Sequence, residues 1–541
     1  MSSSPAVAYV VSQDLVKYSS RLPCNTGRSL LVHSLINALG LLSNTRSTRR
    51  IQVINPRRAA YKDLAIYHSK EYLDFVLNPS DEEPESFGLE DDCPIFDGMP
   101  EYIQLVAGAT CTAANALKLG VVDTAICWDG GRHHAQKSRA SGFCYVADCV
   151  LAILLLKKAL PKTIDPPPSV LAYDDEESQN SAGETHVVLE PVLESSASPI
   201  AASSGLSDSK PQGSDSIDTQ NANEETPPST SGSVGVDSQE RVEADATTQN
   251  PDSKPRNQIR TKPRVMYLDL DIHFGDGVAQ AFYSPQSIGQ SYTRSNRQVL
   301  TLSIHHASPG FFPSSSLSGL PPSKSTSDES LSSNTSFDPY TLSIPLLPGA
   351  GCSTYASIWL DVVERVREAF DPDYIVVQCG VDGLSGDGKV KIGNWSLGGR
   401  QRDVDEVVDR GESNNEHKCE ESELELETGS LGWCISRIVN YWPGKKLFLG
   451  GGGYNHPNAA RAWAFLTSII TGNPLPLSTP IPHTVFNKPN EPFRFFPAFA
   501  PSFTLDVPPG NMRDMNTEEY LMQVKGAFEG VYQVLEDGNR V

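Results

Sequence analysis

One short segment, residues 269–276 (DLDIHFGD), places three carboxylates and an imidazole directly after an apolar run. In an extended chain Asp269, Asp271 and His273 face the same side, because side chains alternate along a strand. Such a cluster is costly to bury unless a positive charge lies within it. Asp and His are common zinc ligands, and a catalytic zinc keeps three protein ligands and an open position. The segment therefore predicts a metal site, with a cluster of surface carboxylates as the alternative.

A third ligand is available in Asp382, which follows another apolar run and lies between Gly380 and Gly383. Glycines allow the backbone to approach a site closely. An aspartate after a strand is by itself more often a turn residue. Asp382 is therefore predicted as a ligand only in combination with residues 269–276.

The pair His133-His134 follows two glycines. Adjacent histidines in a strand point apart, so both are poorly placed to bind one metal. Two histidines that are each held by a carboxylate suit acid–base work, because imidazole titrates near neutrality. Asp269 and Asp276 are the carboxylates available for this. The alternative is one core histidine and one exposed histidine, and the second pair, His305-His306, receives no chemical role.

Four glycines, Gly450–Gly453, precede Tyr454. A phosphate-binding loop is one interpretation, but the Lys-Ser/Thr pair and the spacing of known phosphate loops are missing. The other interpretation is a sharp backbone bend that aims the Tyr454 hydroxyl inward. A phenol beside a metal can stabilise an oxyanion.

Apolar strands alternate with helical segments along the chain, which predicts an α/β domain with a mainly parallel sheet. Each predicted strand runs into one of the polar or glycine-rich segments, and sites of open α/β sheets lie beyond the carboxyl ends of the strands. The predicted strands are Thr124–Trp128, Val265–Asp271, Gln298–Ile304, Asp373–Cys379 and Lys446–Leu449. The predicted helices are Leu105–Lys118, Phe143–Lys158, Tyr355–Phe370, Gly432–Trp442 and Asn458–Ile470.

The chain has 541 residues and a net charge of −22, and the acidity is local. Residues 171–260 hold 17 acidic and 5 basic residues, and residues 401–430 hold 11 and 3. The remainder is nearly neutral, so direct nucleic-acid binding is not expected. No apolar run approaches the ~20 residues that span a bilayer, so a membrane association is not expected either. We predict one domain over residues 1–541, interrupted by disordered inserts at about 165–263 (acidic, Ser/Pro-rich), 313–336 (Ser-rich) and 400–430 (acidic).

The cysteines, the N-terminus and one basic stretch bear on the cellular compartment of the protein. Ten cysteines without a framework of spacings, behind an N-terminus unlike a signal peptide, favour reduced thiols inside a cell. Residues 254–264 (KPRNQIRTKPR) contain five basic residues and read equally well as a nuclear import signal or a solvated loop.

Ten ordered motifs together resemble the class I histone deacetylase family, which are zinc-dependent lysine deacetylases with an arginase-like three-layer αβα fold. The chain is most similar to the compact fungal and metazoan type-eight-like members. The motifs are residues 28–34 (RSLLVHS), 67–72 (YHSKEY), 92–94 (DCP), 131–135 (GRHHA), 141–145 (SGFCY), 269–277 (DLDIHFGDG), 308–313 (SPGFFP), 380–382 (GVD), 450–455 (GGGGYN) and 511–516 (NMRDMN).

The resemblance implies one zinc ion held by Asp271, His273 and Asp382. It implies that His134 is the general base and acid, supported by Asp276. His133 would be its electrostatic partner beside Asp269, and Tyr454 would bind the acyl oxygen.

The resemblance also implies a narrow cleft for an acetyl-lysine side chain. Phe143 and Phe312 would line it with Gly142, Asp92 would accept hydrogen bonds from the substrate backbone, and Arg28 would face an internal acetate-release cavity. A structural potassium ion is implied near Asp269, Ser303 and Ile304, with Asp271 and His273. The implied substrate is an acetylated protein such as a histone tail or a cohesin-type subunit, acted on in the nucleus and also in the cytoplasm, with co-repressor or other protein partners.

Three positions depart from the family pattern: Phe274 replaces a histidine, Ala147 an asparagine, and Asp91 an aromatic residue. The loop of residues 386–395 (GDGKVKIGNW) also differs and predicts an altered cleft width. Three alternatives to a protein deacetylase stay open: an acetylpolyamine amidohydrolase of the same fold, a two-metal ureohydrolase, and a weakly catalytic scaffold that recruits partners through its acidic inserts.

Overall fold

The computed structural model describes residues 6–45, 47–79, 83–159, 262–285, 297–322, 337–398, 426–483 and 496–540. These residues all belong to one compact unit of the chain. Most of the three predicted inserts lies outside the described residues, and so does most of the basic stretch 254–264. The disorder predicted for the inserts therefore stays a prediction.

Eight parallel strands form one sheet in the described residues, in the order β2-β1-β3-β8-β7-β4-β5-β6. This confirms the predicted α/β class with a parallel sheet. The strands are β1 (Ala6–Val10), β2 (Arg50–Ile54), β3 (Thr124–Cys127), β4 (Val265–Asp269), β5 (Val299–His306), β6 (Thr341–Leu346), β7 (Tyr374–Gln378) and β8 (Lys445–Leu449).

Helices cover the sheet. They are α1 (Gln13–Ser19), α2 (Arg28–Ala38), α3 (Tyr61–Leu64), α4 (Lys70–Leu77), α5 (Met99–Lys118), α6 (Asp148–Leu156), α7 (Asp276–Phe282), α8 (Cys352–Ile358), α9 (Glu364–Phe370), α10 (Leu431–Tyr441), α11 (His456–Ile470) and α12 (Glu518–Arg540). A π-helical turn, Trp359–Val363, joins α8 to α9. None of the described helices is both long and apolar enough to span a membrane.

Two hydrophobic cores lie on opposite faces of the sheet, which gives three layers. Along β4, Met266 and Leu268 point into one core, and Val265 and Tyr267 point into the other. This division follows from the alternation of side chains along a strand. The first core includes residues of α2 and α8 to α12, and the second includes residues of α4, α5 and α6. Since both faces are covered, central strands such as β4 and β7 are buried along their whole length, as is typical of parallel sheets.

Several predicted element bounds were wrong. The predicted helix Phe143–Lys158 begins only at Asp148, because residues 143–147 form a turn in which Phe143 has φ 63°. The predicted strand Val265–Asp271 ends at Asp269, and β5 continues through the histidine pair to His306. Strands β1, β2 and β6, together with α2 and α12, were not predicted.

The Gln298 side chain connects the residues on either side of segment 160–261, the longest segment outside the described residues. The Gln298 amide donates hydrogen bonds to the carbonyl oxygens of Lys157 (3.2 Å) and Pro263 (3.1 Å). Lys157 directly follows α6, Pro263 precedes β4, and Gln298 precedes β5. Both ends of the chain that flank segment 160–261 therefore lie beside the start of β5. The cysteines in the described residues are all free thiols.

Candidate active site

Four adjacent central strands, β3, β8, β7 and β4, deliver the predicted site residues. The loop after β3 carries His133 and His134, and the loop after β4 carries Asp271 and His273. The loops after β7 and β8 carry Asp382 and Tyr454 in the same way. Because the strands are parallel and neighbours in the sheet, their carboxyl ends open onto one place.

The metal-binding candidates converge on one point. The Nδ1 atom of His273 lies 3.1 Å from Asp271 Oδ1 and 3.0 Å from Asp382 Oδ2. One ligand atom from each of the three residues lies within 4.8 Å of the others. Both carboxylates are buried, whereas the His273 side chain is partly exposed (14%). One imidazole nitrogen, two carboxylate oxygens and an open side form a donor set that fits a catalytic zinc ion.

The buried carboxylates of Asp271 and Asp382 require a positive charge nearby. Burial and the neighbouring Asp271 carboxylate raise the pKa of Asp382 to about 7. Burial lowers the pKa of His273, but hydrogen bonds to the two carboxylates outweigh it and raise that pKa to about 10. The protein alone therefore balances its buried carboxylates with a protonated imidazole. A divalent cation would take the place of that proton.

Backbone and amide groups fix the ligands from behind. Asp271 Oδ2 accepts hydrogen bonds from the Gly452 N–H (2.7 Å) and the Gln378 side-chain amide (3.0 Å). The Ile272 N–H donates to Asp382 Oδ1 (3.1 Å). A Cβ atom on Gly380 would lie 2.1 Å from Asp271 Oδ2, so this glycine is required for space. Gln378 was not predicted as a site residue, although it lies within the predicted strand Asp373–Cys379 and ends β7.

Each histidine of the tandem pair contacts its own buried carboxylate. His133 Nδ1 lies 2.8 Å from Asp269 Oδ2, and His134 Nδ1 lies 2.7 Å from Asp276 Oδ1. The two rings are 3.9 Å apart at 49°. The predicted divergence of the side chains was wrong, because the pair lies in an irregular loop after β3 instead of a strand.

The two imidazoles have opposite protonation tendencies. Burial lowers the pKa of His133, but Asp269 and Asp271 outweigh it and raise that pKa to about 9. Burial and the adjacent His133 lower the pKa of His134 to about 4. At neutral pH His133 is thus the charged member, and His134 is the neutral member with a free lone pair.

Asp148, at the start of α6, holds the loop that carries the histidines. Its carboxylate accepts hydrogen bonds from the backbone N–H groups of Gly131 (2.9 Å) and Arg132 (2.8 Å) and from the Thr110 hydroxyl (2.6 Å). This residue was not predicted, since an aspartate at a helix start is usually a cap. Its neighbour Ala147 donates its N–H to His68 Nε2 (3.0 Å).

Tyr454 is positioned by a buried carboxylate that was also missed. Asp387 Oδ2 accepts the backbone N–H groups of Tyr454 (2.6 Å) and Asn455 (3.1 Å). Asp387 Oδ1 accepts those of Lys389 (3.1 Å) and Val390 (3.3 Å). The chain turns at Gly453, where φ is 133°, and α11 begins directly afterwards. Asp387 therefore ties the loop after β7 to the loop after β8.

The aromatic residues predicted to line the cleft lie beside the site residues. The Phe143 ring lies 5.6 Å from the Tyr454 ring, and the Phe312 ring lies 4.9 Å from the His134 ring. A Cβ atom on Gly142 would lie within 2.8 Å of both His134 and Phe312, so only glycine fits between them. Phe312 is 41% exposed and therefore marks the mouth of the cleft.

The remaining predicted residues surround this centre. Asp92 is exposed, and its Oδ2 accepts the Gly142 N–H (3.1 Å). Arg28 is buried behind Tyr454, where it donates to the carbonyl oxygens of Gly451 (3.0 Å) and Gly453 (2.9 Å). Trp463 lies under its guanidinium, 4.9 Å from ring centroid to Cζ.

The proposed potassium residues lie at the base of the same region. Ser303 pairs with Asp269 in the β4–β5 register, and Ile304 follows it. The potassium site stays a prediction. Phe274, which departs from the family pattern, packs against His305 with 4.9 Å between ring centroids. Phe311 was not predicted, and it stacks on the His273 ring at 5.0 Å and 8°.

Comparisons with known proteins show the family of this chain. The family model described as histone deacetylase domain matches residues 22–164 and 256–470. Histone deacetylase 8 of Xenopus tropicalis is 27% identical, over 98% of this chain and 100% of its own length. Histone deacetylase 8 of Danio rerio is 26% identical, over 97% and 94%. Human histone deacetylase 1 is 25% identical, over 94% of this chain and 70% of its own length.

Proposed function

Because the chain belongs to the class I histone deacetylase family, we propose that it is a zinc-dependent protein lysine deacetylase. It would hydrolyse N6-acetyl-lysine in histones or other proteins to lysine and acetate. The observation that carries the proposal is the convergence of a three-ligand metal site, two His–Asp pairs and a phenol at the end of one aromatic cleft.

Asp271, His273 and Asp382 would hold the zinc ion, which supplies a Lewis acid for the acyl carbonyl and for an attacking water. Phe143 and Phe312 are placed to line the stem of the acyl-lysine, so that the acyl group reaches the deep end of the cleft. Their aromatic walls exclude bulk water from the reacting atoms, which strengthens electrostatic interactions there.

His134 is the residue proposed to move protons. Its Nδ1 is bound to Asp276, which leaves Nε2 to accept a proton from the attacking water. The low pKa of His134, caused by burial and the charged His133, keeps Nε2 unprotonated before the reaction. The same atom then delivers the proton to the departing lysine amine. Asp276 stabilises the imidazolium between the two transfers.

Tyr454 and His133 are proposed to stabilise negative charge. Burial and the charges of Asp382 and Asp271 raise the pKa of the Tyr454 phenol, so its hydroxyl stays a donor. That hydroxyl would donate a hydrogen bond to the acyl oxygen as charge develops on it. His133, held as a cation by Asp269, places a fixed positive charge beside the same oxygen.

The proposal is tested by turnover of an acetyl-lysine peptide with the full chain reloaded with one equivalent of zinc. Tyr454→Phe is expected to lower kcat by about 10²- to 10³-fold, the cost of an oxyanion donor, while binding zinc normally. His134→Ala should be at least as severe. Tyr441→Phe is the matched control, because Tyr441 is 68% exposed. Tyr454→Phe with kcat within threefold of wild type would contradict the assigned role.

The same assay separates the alternatives. Turnover of acetylated spermidine without turnover of any peptide would favour the polyamine amidohydrolase, and a requirement for two manganese ions would favour the ureohydrolase. A zinc-loaded chain that is inactive on all of these would favour the scaffold. We further propose that residues 1–541 act as one catalytic domain, and that this domain works in the nucleus. Removing residues 165–260 and measuring turnover would test the first proposal, and imaging the tagged chain in cells would test the second.

A further inference from the structure

A lysine stands at the mouth of the aromatic cleft. The Nζ of Lys389 lies 4.0 Å from the Phe143 ring centroid and 5.2 Å from the Tyr454 ring centroid. We propose that Lys389 determines specificity by charge, favouring acyl-lysine substrates that carry a carboxylate beside the acyl-lysine. This inference rests on the proposed function, because it names the substrate class of that same site.

The lysine is held in place from both ends. Cation–π attraction to the two rings holds its ammonium. Asp387 holds its backbone, since the carboxylate that accepts the Lys389 N–H also accepts the Tyr454 N–H. The charge is therefore fixed relative to the catalytic phenol. A lysine on an exposed loop without these contacts would sample many positions.

The ammonium acts at the entrance and leaves the acyl pocket untouched. Lys389 is an exposed residue, whereas Asp271 and Asp382 are buried at the deep end. A substrate's neighbouring residues pass the entrance, but its acyl group lies beyond it. Among the residues that the structure describes, no carboxylate forms an ion pair with Lys389, so its charge is available to a ligand.

Acidic side chains also lie at the entrance. Asp92 accepts the N–H of Gly142, which precedes Phe143 in the chain. Asp92 is exposed, and so are Glu90 and Asp91. The entrance thus carries both signs of charge, and the Lys389 ammonium lies against the Phe143 and Tyr454 rings. A flanking carboxylate gains on the Lys389 side, and a flanking cation loses there. Charge arranged in this way contributes more to selection than to affinity.

The experiment compares kcat/KM for three acetyl-lysine peptides that differ only in the flanking residue, which is Asp, Asn or Lys. Each enzyme is scored by its Asp/Lys ratio, which cancels changes in overall activity. Lys389→Met keeps the length and removes the charge, and Lys389→Glu reverses it. Lys391→Met is the control, because it removes the same charge two residues further along the loop.

We expect the Asp/Lys ratio to fall about threefold in Lys389→Met and about tenfold in Lys389→Glu, as for partly exposed charges a few ångströms apart. Lys391→Met should keep the wild-type ratio, and added salt should shrink the wild-type preference. The inference would be overturned if the Asn peptide is turned over and the Asp/Lys ratio is the same in the wild type and all three variants. Absence of turnover of all three peptides by the wild type would instead overturn the proposed function.

Discussion

Replacing Asp387 by Asn should separate the positioning of Tyr454 from the chemistry of its hydroxyl. The Asp387 carboxylate accepts four backbone N–H groups, two from each of the loops that follow β7 and β8. An amide can accept only on its oxygen side and turns its own N–H groups toward the other pair of donors. Asp387→Asn therefore loses the hold on one of the two loops.

The size of the effect follows from the lost bonds. Hydrogen bonds to a charged group contribute about 1.5–3 kcal/mol each, so losing two lowers the free energy of unfolding by about 3–6 kcal/mol. Catalysis should fall further than folding suggests, because a displacement of about 1 Å at a reacting group costs of order 10²-fold. We expect kcat to fall by about 10- to 100-fold, less than in Tyr454→Phe, with one zinc ion still bound.

Asp338→Asn is the matched control. Its carboxylate accepts the N–H groups of Ser284 (2.9 Å) and Tyr340 (3.1 Å) and the Thr341 hydroxyl (3.0 Å), just before the edge strand β6. Urea unfolding and peptide turnover are measured for both variants. If the two variants lose similar stability and Asp387→Asn keeps kcat within threefold of wild type, Asp387 does not position the phenol.

Two further predictions concern the metal site and the stability of the fold. Gly380→Ala places a Cβ atom 2.1 Å from Asp271 Oδ2 and should weaken zinc binding by at least tenfold by calorimetry, whereas Gly383→Ala, with no contact under 3.8 Å, should bind normally. Burial lowers the pKa of His68 to about 4, so the unfolded chain binds more protons than the folded chain between pH 6.5 and 4. Stability is then lost as the pH falls through this window, by about 2 kcal/mol at pH 5, and His68→Gln should lose less in urea titrations at pH 7 and 5. Equal pH dependence in the two proteins would refute the assignment to His68, whose Nε2 accepts the Ala147 N–H.

The sheet was predictable from sequence where its strands are buried on both faces. Continuous apolar runs such as Tyr374–Gln378 can hardly be anything else when a glycine or polar segment follows. Edge strands are less distinctive, and β2 (Arg50–Ile54) has one buried residue of five, so no apolar pattern marked it. Phe143 shows the opposite failure, because an apolar residue with positive φ looked like part of a helix.

The residues of the site were predictable because their chemistry restricts their types, whereas the residues that support them were not. Asp271 and His273 stand out as ligands in any sequence. Asp148 and Asp387 accept backbone N–H groups from distant parts of the chain, and the Gln378 amide donates to the distant Asp271 carboxylate, so these contacts leave no local pattern. Their roles depend on which strands are neighbours, and spacing along the chain does not encode that order.

The Gln298 contacts have a consequence for how the catalyst is divided along the chain. His133 and His134 lie before the segment whose ends Gln298 brings together, and the proposed metal ligands and Tyr454 lie after it. The β3–β8 ladder and the packing of α2 on α11 join the two parts without that segment. Residues 1–159 and 262–541, produced as separate polypeptides in one cell, should therefore assemble into a complete site. Co-purification with peptide turnover would show a catalyst made of two complementing halves, and two insoluble halves would show that the covalent link is needed.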